Sequence, residues 1–266
     1  MATSMRSMWS GAIAFGLVHV PVKMYKATTE NDVSFRQVHG ADGGRINFRR
    51  YCSTCDEEVP YEAIAKGYEM ADGEIIVLDD ADMADLPLDT LHTMEVQQFC
   101  GAAEVPAIYL SGKTYYLAPD PAGKRAYGLL CHALRAGELV ALVKVTIRTR
   151  ERIGMLRLDG NQIILELLHW ADEIKEPDFP VLAENAVLAT AEMTMARELV
   201  KAYTAKFDPE AFTDDYREAL AQVVEAKVND PGSQRATTRQ APAAQPDLES
   251  ALKASLAARK APKKKK

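Results

Sequence analysis

The sequence is short of the features that announce most enzyme and membrane classes. Its apolar runs are brief, as at residues 128–131 and 163–165, and none approaches the ~20 residues of a membrane-spanning helix. The first 21 residues, MATSMRSMWSGAIAFGLVHVP, lack a clean hydrophobic stretch ending in a small-residue cleavage site. The expectation is a cytoplasmic protein with no membrane partner. Only four cysteines occur, and only Cys52 and Cys55 are close in sequence, which argues against a disulfide framework and for a reducing compartment. No GxxxxGKS/T, GxGxxG or GxSxG pattern is present, so nucleotide binding and serine-hydrolase chemistry lose their best sequence support. The five histidines fall in separate elements without metal-ligand spacing. Tyr115 and Tyr116 are adjacent, which sends them to opposite faces of a strand and leaves no stacking platform for single-stranded nucleic acid. No helix sets Arg, Asn or Gln for base edges either. These absences lead to the expectation of a non-enzyme with no catalytic residues and no cofactor.

What is present is charge, unevenly placed. The chain carries a formal net charge of -6, yet residues 231–266 hold nine Lys and Arg against Asp247 and Glu249, a local +7 that leaves -13 for the remainder. The chain ends in Lys263, Lys264, Lys265 and Lys266. An acidic body with a basic end points to a polyanionic partner. Within the body, LVALVKVTIRTRERIGMLRLDG (139–160), treated as one extended strand, sets Val143, Val145 and Ile147 on one face. Lys144, Thr146, Arg148, Arg150 and Arg152 fall on the other. A second cluster, Arg45, Arg49 and Arg50, follows the Gly43-Gly44 turn in GGRINFRRYC, and Lys113 joins the candidates from a Gly112-Lys113 turn. Either cluster alone is explained by a solvated sheet face. Two clusters with a basic tail favour phosphate contacts, which give affinity without reading sequence, and leave duplex backbone binding as the nucleic-acid option.

Short strand patterns with turn signals dominate the first 180 residues. AIAFGLVHVPVKMYKAT is strand-like with Pro21 as a break, and EIIVLDDADM is a strand running into a polar helix start. EVQQFCGAAEVPAIYLSGKTYYLAPD holds two or three strands turning at Gly112-Lys113, and AYGLLCHALRAGE has helical spacing with a stop at Gly137. Asp159-Gly160-Asn161 is a hairpin turn into QIILELLHW. Such a pattern favours a β-barrel over a doubly wound sheet. After Pro180, two helical stretches meet at Asp208-Pro209, with Asp214 near the start of the second and Lys227 near its end. Residues from 231 have the composition of a disordered linker, followed by a short amphipathic helix in DLESALKASLAARKA. The fold class is therefore mainly β with α: a barrel unit over 1–180, a helical arm over 181–230 and a flexible lysine-rich tail over 231–266.

Two further motifs have chemistry to weigh. Cys52-Ser53-Thr54-Cys55 supplies half the ligands of a zinc ribbon, and no second CxxC exists. Cys52 and Cys55 are a weak candidate metal pair, set against a turn whose cysteines are small buried side chains. The acids of VLDDADMADL, at 79, 80, 82 and 85, form a solvated helix start more readily than a divalent-cation site, since the Gly and bidentate Glu of a calcium loop are missing.

The order of segments resembles the bacterial Ku family. MWSGAIAFGLVHVPVKMYKAT, DGGRINFRRYC, EVPYEAIAKGYE, KTYYLAPDPAGKRAYGLL, LLHWADEI and YREALAQVVEAK carry the resemblance, in order, across residues 5–230. It implies a homodimer in which two β-barrels and their connecting segments form a ring around double-stranded DNA ends. The ring loads from a free end without reading sequence and acts in non-homologous end joining, a double-strand break repair pathway, recruiting an ATP-dependent DNA ligase. It implies a bacterial, nucleoid-associated protein that needs no nucleotide to bind ends. By this resemblance residues 45–66 belong to a bridge over the DNA, residues 144–152 to the cradle or its rim, and the C-terminal helices to a ligase-facing module. The competing expectation is a metal-dependent nuclease or an abasic-site lyase acting on DNA, the former through the acids at 79–85 and the latter through a lysine amine.

Overall fold

The computed structural model describes residues 5–84, 92–182, 188–229 and 247–260. It separates into two units, residues 1–176 and 177–266.

The first unit is built on nine strands. β1 (Trp9–Phe15) and β2 (Val18–Lys26) form a hairpin, followed by a long exposed excursion containing β3 (Lys66–Glu69) and β4 (Ile75–Leu78), which pair only with each other. A short helix, α1 (Asp80–Ala84), closes the excursion's described part. β5 (Thr93–Gly101), β6 (Leu110–Pro119), the helix α2 (Lys124–Gly137), β7 (Leu139–Ile147), β8 (Arg150–Asp159) and β9 (Gln162–Leu168) complete the unit. Seven strands close a barrel in the order β1-β2-β6-β9-β8-β7-β5, and the closing seam between β1 and β5 is parallel. At that seam Ala12 N donates to His92 O at 3.0 Å. A Cβ on Gly11 would lie 2.2 Å from the same oxygen, so only glycine lets the two strands approach.

Alternation places the core. Val20, Val22 and Met24 of β2, Val143 and Val145 of β7, and Ile163 and Leu165 of β9 point inward and are fully buried. One amphipathic face of α2, with Tyr127, Leu130, Cys131 and Leu134, packs on this cluster. Helix α2 contacts β7, β2 and β8 and is hydrogen-bonded to Leu117 of β6 and to Gly160 in the β8–β9 turn, so it stoppers one end of the barrel. Tyr127 fastens it there: its hydroxyl donates to Leu117 O at 2.7 Å and accepts from Ile163 N at 2.7 Å. Burial pushes that phenol up to about 12.

Several expectations are corrected. Pro21 does not break the strand but sits inside β2 opposite Ala12. In an antiparallel strand the N–H and C=O of one residue point the same way, and Pro21 O accepts from Asp120 N at 3.1 Å, just past the end of β6. The acceptor a donor at Pro21 would meet, Asp120 O, is taken instead by Gly123 N at 2.9 Å, so the missing N–H leaves no ladder bond unmade. Gly112-Lys113 is no hairpin turn either. β6 runs through it with a bulge between Leu110 and Thr114, relieved by Gly112 at φ +75°. The hairpin expected at 159–161 is present, with Asp159 opposite Gln162 and Gly160 at φ +58°. The acids of the excursion serve α1: Asp82 N donates to Asp79 Oδ1 at 2.8 Å and Asp79 N to Asp82 Oδ2 at 2.9 Å. Asp85 lies outside the described residues.

The second unit contains α3 (Thr190–Tyr203), α4 (Asp215–Asn229) and α5 (Leu248–Lys260), of which α3 and α5 pack together. Asp214 caps α4, accepting from Arg217 N at 3.0 Å, and Asp247 accepts from Glu249 N and Ser250 N at the start of α5. The expected linker over 231–246 and the lysines 263–266 lie outside the described residues. No helix among the described residues is long and apolar enough to cross a membrane.

Candidate nucleic-acid interface

The cationic strip over residues 144–152 is not one strand. β7 ends at Ile147 and β8 begins at Arg150, with Ile147 opposite Arg150 and Arg148-Thr149 as a two-residue hairpin loop. Arg148 adopts φ +62° at the first loop position, a left-handed conformation that costs a non-glycine residue about 1–2 kcal/mol. Such a loop exchanges faces. Residues of even number point outward in β7 and toward the barrel axis in β8, because the paired residues Ile147 and Arg150 share a face while differing in parity.

The strip is thereby divided. Lys144 lies on the outer face, 3.6 Å from Glu151. Thr146, on the same face by sequence alternation, is buried, and its carbonyl accepts from Trp9 Nε1 at 3.0 Å. Arg150 and Arg152 lie on the inner parity beyond the last buried core residues, at the end of the barrel opposite α2. There the strand ends open into a cavity of about 700 Å³ lined by Arg6, Lys26, Lys113, Arg148, Arg150 and Arg152. The bulge of β6 is what brings Lys113 to this rim, and its wall is completed by Met8, Tyr115, Ile147 and Leu167. Glu30 is the acid on the wall.

Among the described residues none of these six cations forms an ion pair within 4.0 Å. Other cations of the barrel are engaged: Lys23 with Asp120 at 3.1 Å and Arg157 with Glu166 at 2.7 Å. Glu173 is held below the usual carboxylate range chiefly by the Trp170 N–H and the His169 ring, with a weaker contribution from Arg152. Six cations gathered on one rim with few carboxylates near them repel one another, and a polyanion relieves that repulsion while shedding its own counterions. Arg6 and Lys26 were missed by sequence reasoning. They flank the β1–β2 hairpin far from the 139–160 segment, and only barrel closure makes them neighbours of Arg150.

Arg45, Arg49 and Arg50 lie apart on the excursion. Arg49 Nη1 meets Glu58 Oε2 at 2.9 Å, and the Arg50 guanidinium stands 5.5 Å from the centre of the Tyr61 ring. No residue described between 27 and 83 is buried, and large apolar side chains stand exposed, among them Phe35, Phe48, Tyr61, Ile75 and Val77. Cys52 is half-buried and Cys55 exposed, so these cysteines are not the small buried side chains of the alternative reading.

A closed barrel has one end stoppered by a helix, a cation-lined rim at the other and a long exposed excursion. The family model described as the Ku70/Ku80 beta-barrel domain matches residues 14–197, and the chain belongs to the Ku family. It is 45% identical over 259 residues to a protein of Frankia casuarinae named non-homologous end joining protein Ku, covering 97% of this chain and 65% of that one. The chain thus spans about two thirds of that relative's length. It is 37% identical to the Ku protein of Mycobacterium tuberculosis, covering 90% of this chain and 88% of that one. The Ku protein of Archaeoglobus fulgidus is 39% identical over 85% of this chain and 89% of its own.

Proposed function

We propose that two copies of this chain close around a double-stranded DNA end, hold it by the sugar-phosphate backbone without reading bases, and act in non-homologous end joining. The observation that carries the reading is the open rim of the barrel, where Arg6, Lys26, Lys113, Arg148, Arg150 and Arg152 converge, with no ion pair within 4.0 Å among the described residues, in a chain of net charge -6. A ring reconciles the two signs: cations line the surface that meets phosphate, and the outer surface stays acidic. The excursion supports the second copy. Exposed apolar side chains on this scale need a covering surface, and a self-complementary contact with another copy supplies one. The names of the relatives support end joining as the setting.

The finer assignments belong to the same proposal. Residues 1–180 form the barrel with its bridge, on which Arg45, Arg49 and Arg50 lie over the duplex. Residues 181–230 form the helical arm that faces an ATP-dependent ligase. The basic tail over 231–266, with Lys263 to Lys266, adds affinity beyond the ring, and the protein itself makes and breaks no bonds. Lys144, turned outward toward Glu151, contributes least to the rim.

Comparing three duplexes of one sequence tests the reading: linear, linear with both ends closed by bulky hairpins, and covalently closed circular. Expected is binding to the linear form alone, by a species of two chains in sedimentation. Equal binding to closed circles overturns end loading, and cleavage that requires a divalent cation favours the nuclease reading instead.

A further inference from the structure

The Cys52–Cys55 segment has a local geometry that DNA binding does not use. The chain reverses there in a tight hairpin: Tyr51 bridges Glu58, Cys52 N donates to Glu57 O at 3.0 Å, and Asp56 N donates to Cys52 O at 2.9 Å. Val59 N closes the ladder on Arg50 O at 2.8 Å. Asp56, directly after the second cysteine, takes φ +57°, and this left-handed residue turns the chain back under the two sulfurs. The turn carries Cys52 and Cys55 at the C-x-x-C spacing with which a knuckle presents two thiolates to one cation.

Other uses of these side chains are weakened by their surroundings. Neither cysteine packs into the barrel core, and Cys55 is exposed. The remaining cysteines are held elsewhere: Cys131 is buried under α2, and Cys100 lies against the outer cluster of Val140 and Met155. His39 is occupied by Asp42 at 3.0 Å, and Glu58 by Arg49. No group of three or more ligating side chains that would hold a metal occurs among the described residues. A closed tetrahedral thiolate site needs four ligands, so one chain brings half of what is required.

We infer that the Cys52–Cys55 turn is a half-site for a zinc-like divalent cation, completed by the same two thiolates of a second copy of the chain. The inference rests on the two-copy reading above, and the excursion is where that reading places the contact between copies. A two-fold axis supplies the missing ligands without any new residue, because each side of a self-complementary contact presents the same groups. Each ligating sulfur gives up its proton to solvent as the metal–sulfur bond forms, so binding tightens as pH rises. The cation would tie two excursions together at a turn that has no buried apolar side chains of its own.

Cobalt(II) added to the reduced, metal-free full chain tests this. Expected are the intense sulfur-to-cobalt charge-transfer bands of a tetrahedral thiolate site, saturating at about half an ion per chain and displaced by zinc. Cys52→Ser and Cys55→Ser should each abolish the bands, and a Cys100→Ser/Cys131→Ser double variant should keep them. Absence of bands, saturation at one ion per chain, or bands that survive Cys52→Ser overturns the shared site. A reduced chain that binds no cobalt but readily forms a Cys52–Cys55 disulfide also overturns it, in favour of a redox pair. Sedimentation of the same samples separates the two readings: dimers without cobalt bands sink the metal site alone, and monomers sink the two-copy arrangement beneath it.

Discussion

Neutralising Arg148 and Arg150 together is the most direct trial of the rim. Both stand exposed at the β7–β8 hairpin on the wall of the cationic cavity, so Arg148→Gln/Arg150→Gln should leave the barrel core untouched. In a two-copy ring the double variant removes four charges. If each meets a phosphate, the slope of log K against log salt flattens by about 0.9 per lost contact, or roughly 3.6 in all. Across 50 to 200 mM salt, a fourfold change, that difference makes the unsubstituted chain lose on the order of 100-fold more affinity than the variant. Fluorescence anisotropy with a short blunt duplex at several salt concentrations measures both slopes, and thermal unfolding verifies that the fold is kept. Lys144→Gln is the matched control. It removes a cation equally close in sequence but turned to the outer face beside Glu151, and its slope should match that of the unsubstituted chain. Equal slopes for the double variant and the unsubstituted chain would refute the rim, and an equal effect of Lys144→Gln would refute the face exchange on which it is argued.

Three smaller experiments bear on the same features. Arg148→Gly should raise stability by about 0.5–1 kcal/mol in denaturant unfolding, because glycine adopts φ +62° freely, while weakening DNA binding; a loss of stability would speak against a strained loop. Tyr127→Phe leaves Leu117 O and Ile163 N without their partner and should cost about 2–4 kcal/mol. In the unsubstituted chain the Tyr127 contribution is complete below pH ~10, the ordinary range of the phenol, and is lost as pH climbs toward 12, since the folded state holds the proton longer. A variant with unchanged midpoint and alkaline profile would contradict this. Alkylation of metal-free Cys52 should accelerate with a midpoint near pH 7, to which the Cys55 and Thr54 amides bring its thiol, whereas Cys131, buried and pushed upward, should stay slow. Peptide mass mapping across pH distinguishes the two sites.

Much of the architecture was legible because it depends on local pattern. Alternation in β2, β7 and β9 and helical spacing in α2 are properties of a few neighbouring residues. The segments that resemble the Ku family mark the chain's membership with no coordinates at all. The errors arose where local pattern was silent about direction. Pro21 looked like a strand end because its missing donor is visible in sequence, while the capture of the opposing Asp120 carbonyl by Gly123 N is not. Gly112 announced a reversal but delivered a bulge, since a positive φ serves either.

The candidate site shows the same division. By itself the sequence determined that cations are concentrated at 45–50 and 144–152 and in the tail, that the body is acidic, and that the core alternates as a barrel wall does. Charge count and side-chain periodicity are set by covalent order, so these needed no fold. Which cations face together was decided only by tertiary structure. A two-residue loop at Arg148-Thr149 reverses the strand and its parity, sending Lys144 outward and Arg150 and Arg152 inward. Closure of the barrel through a parallel seam then carries Arg6 and Lys26 to the same rim. Phosphate binding depends on distances between charges, and those distances exist only once strands remote in sequence are hydrogen-bonded side by side.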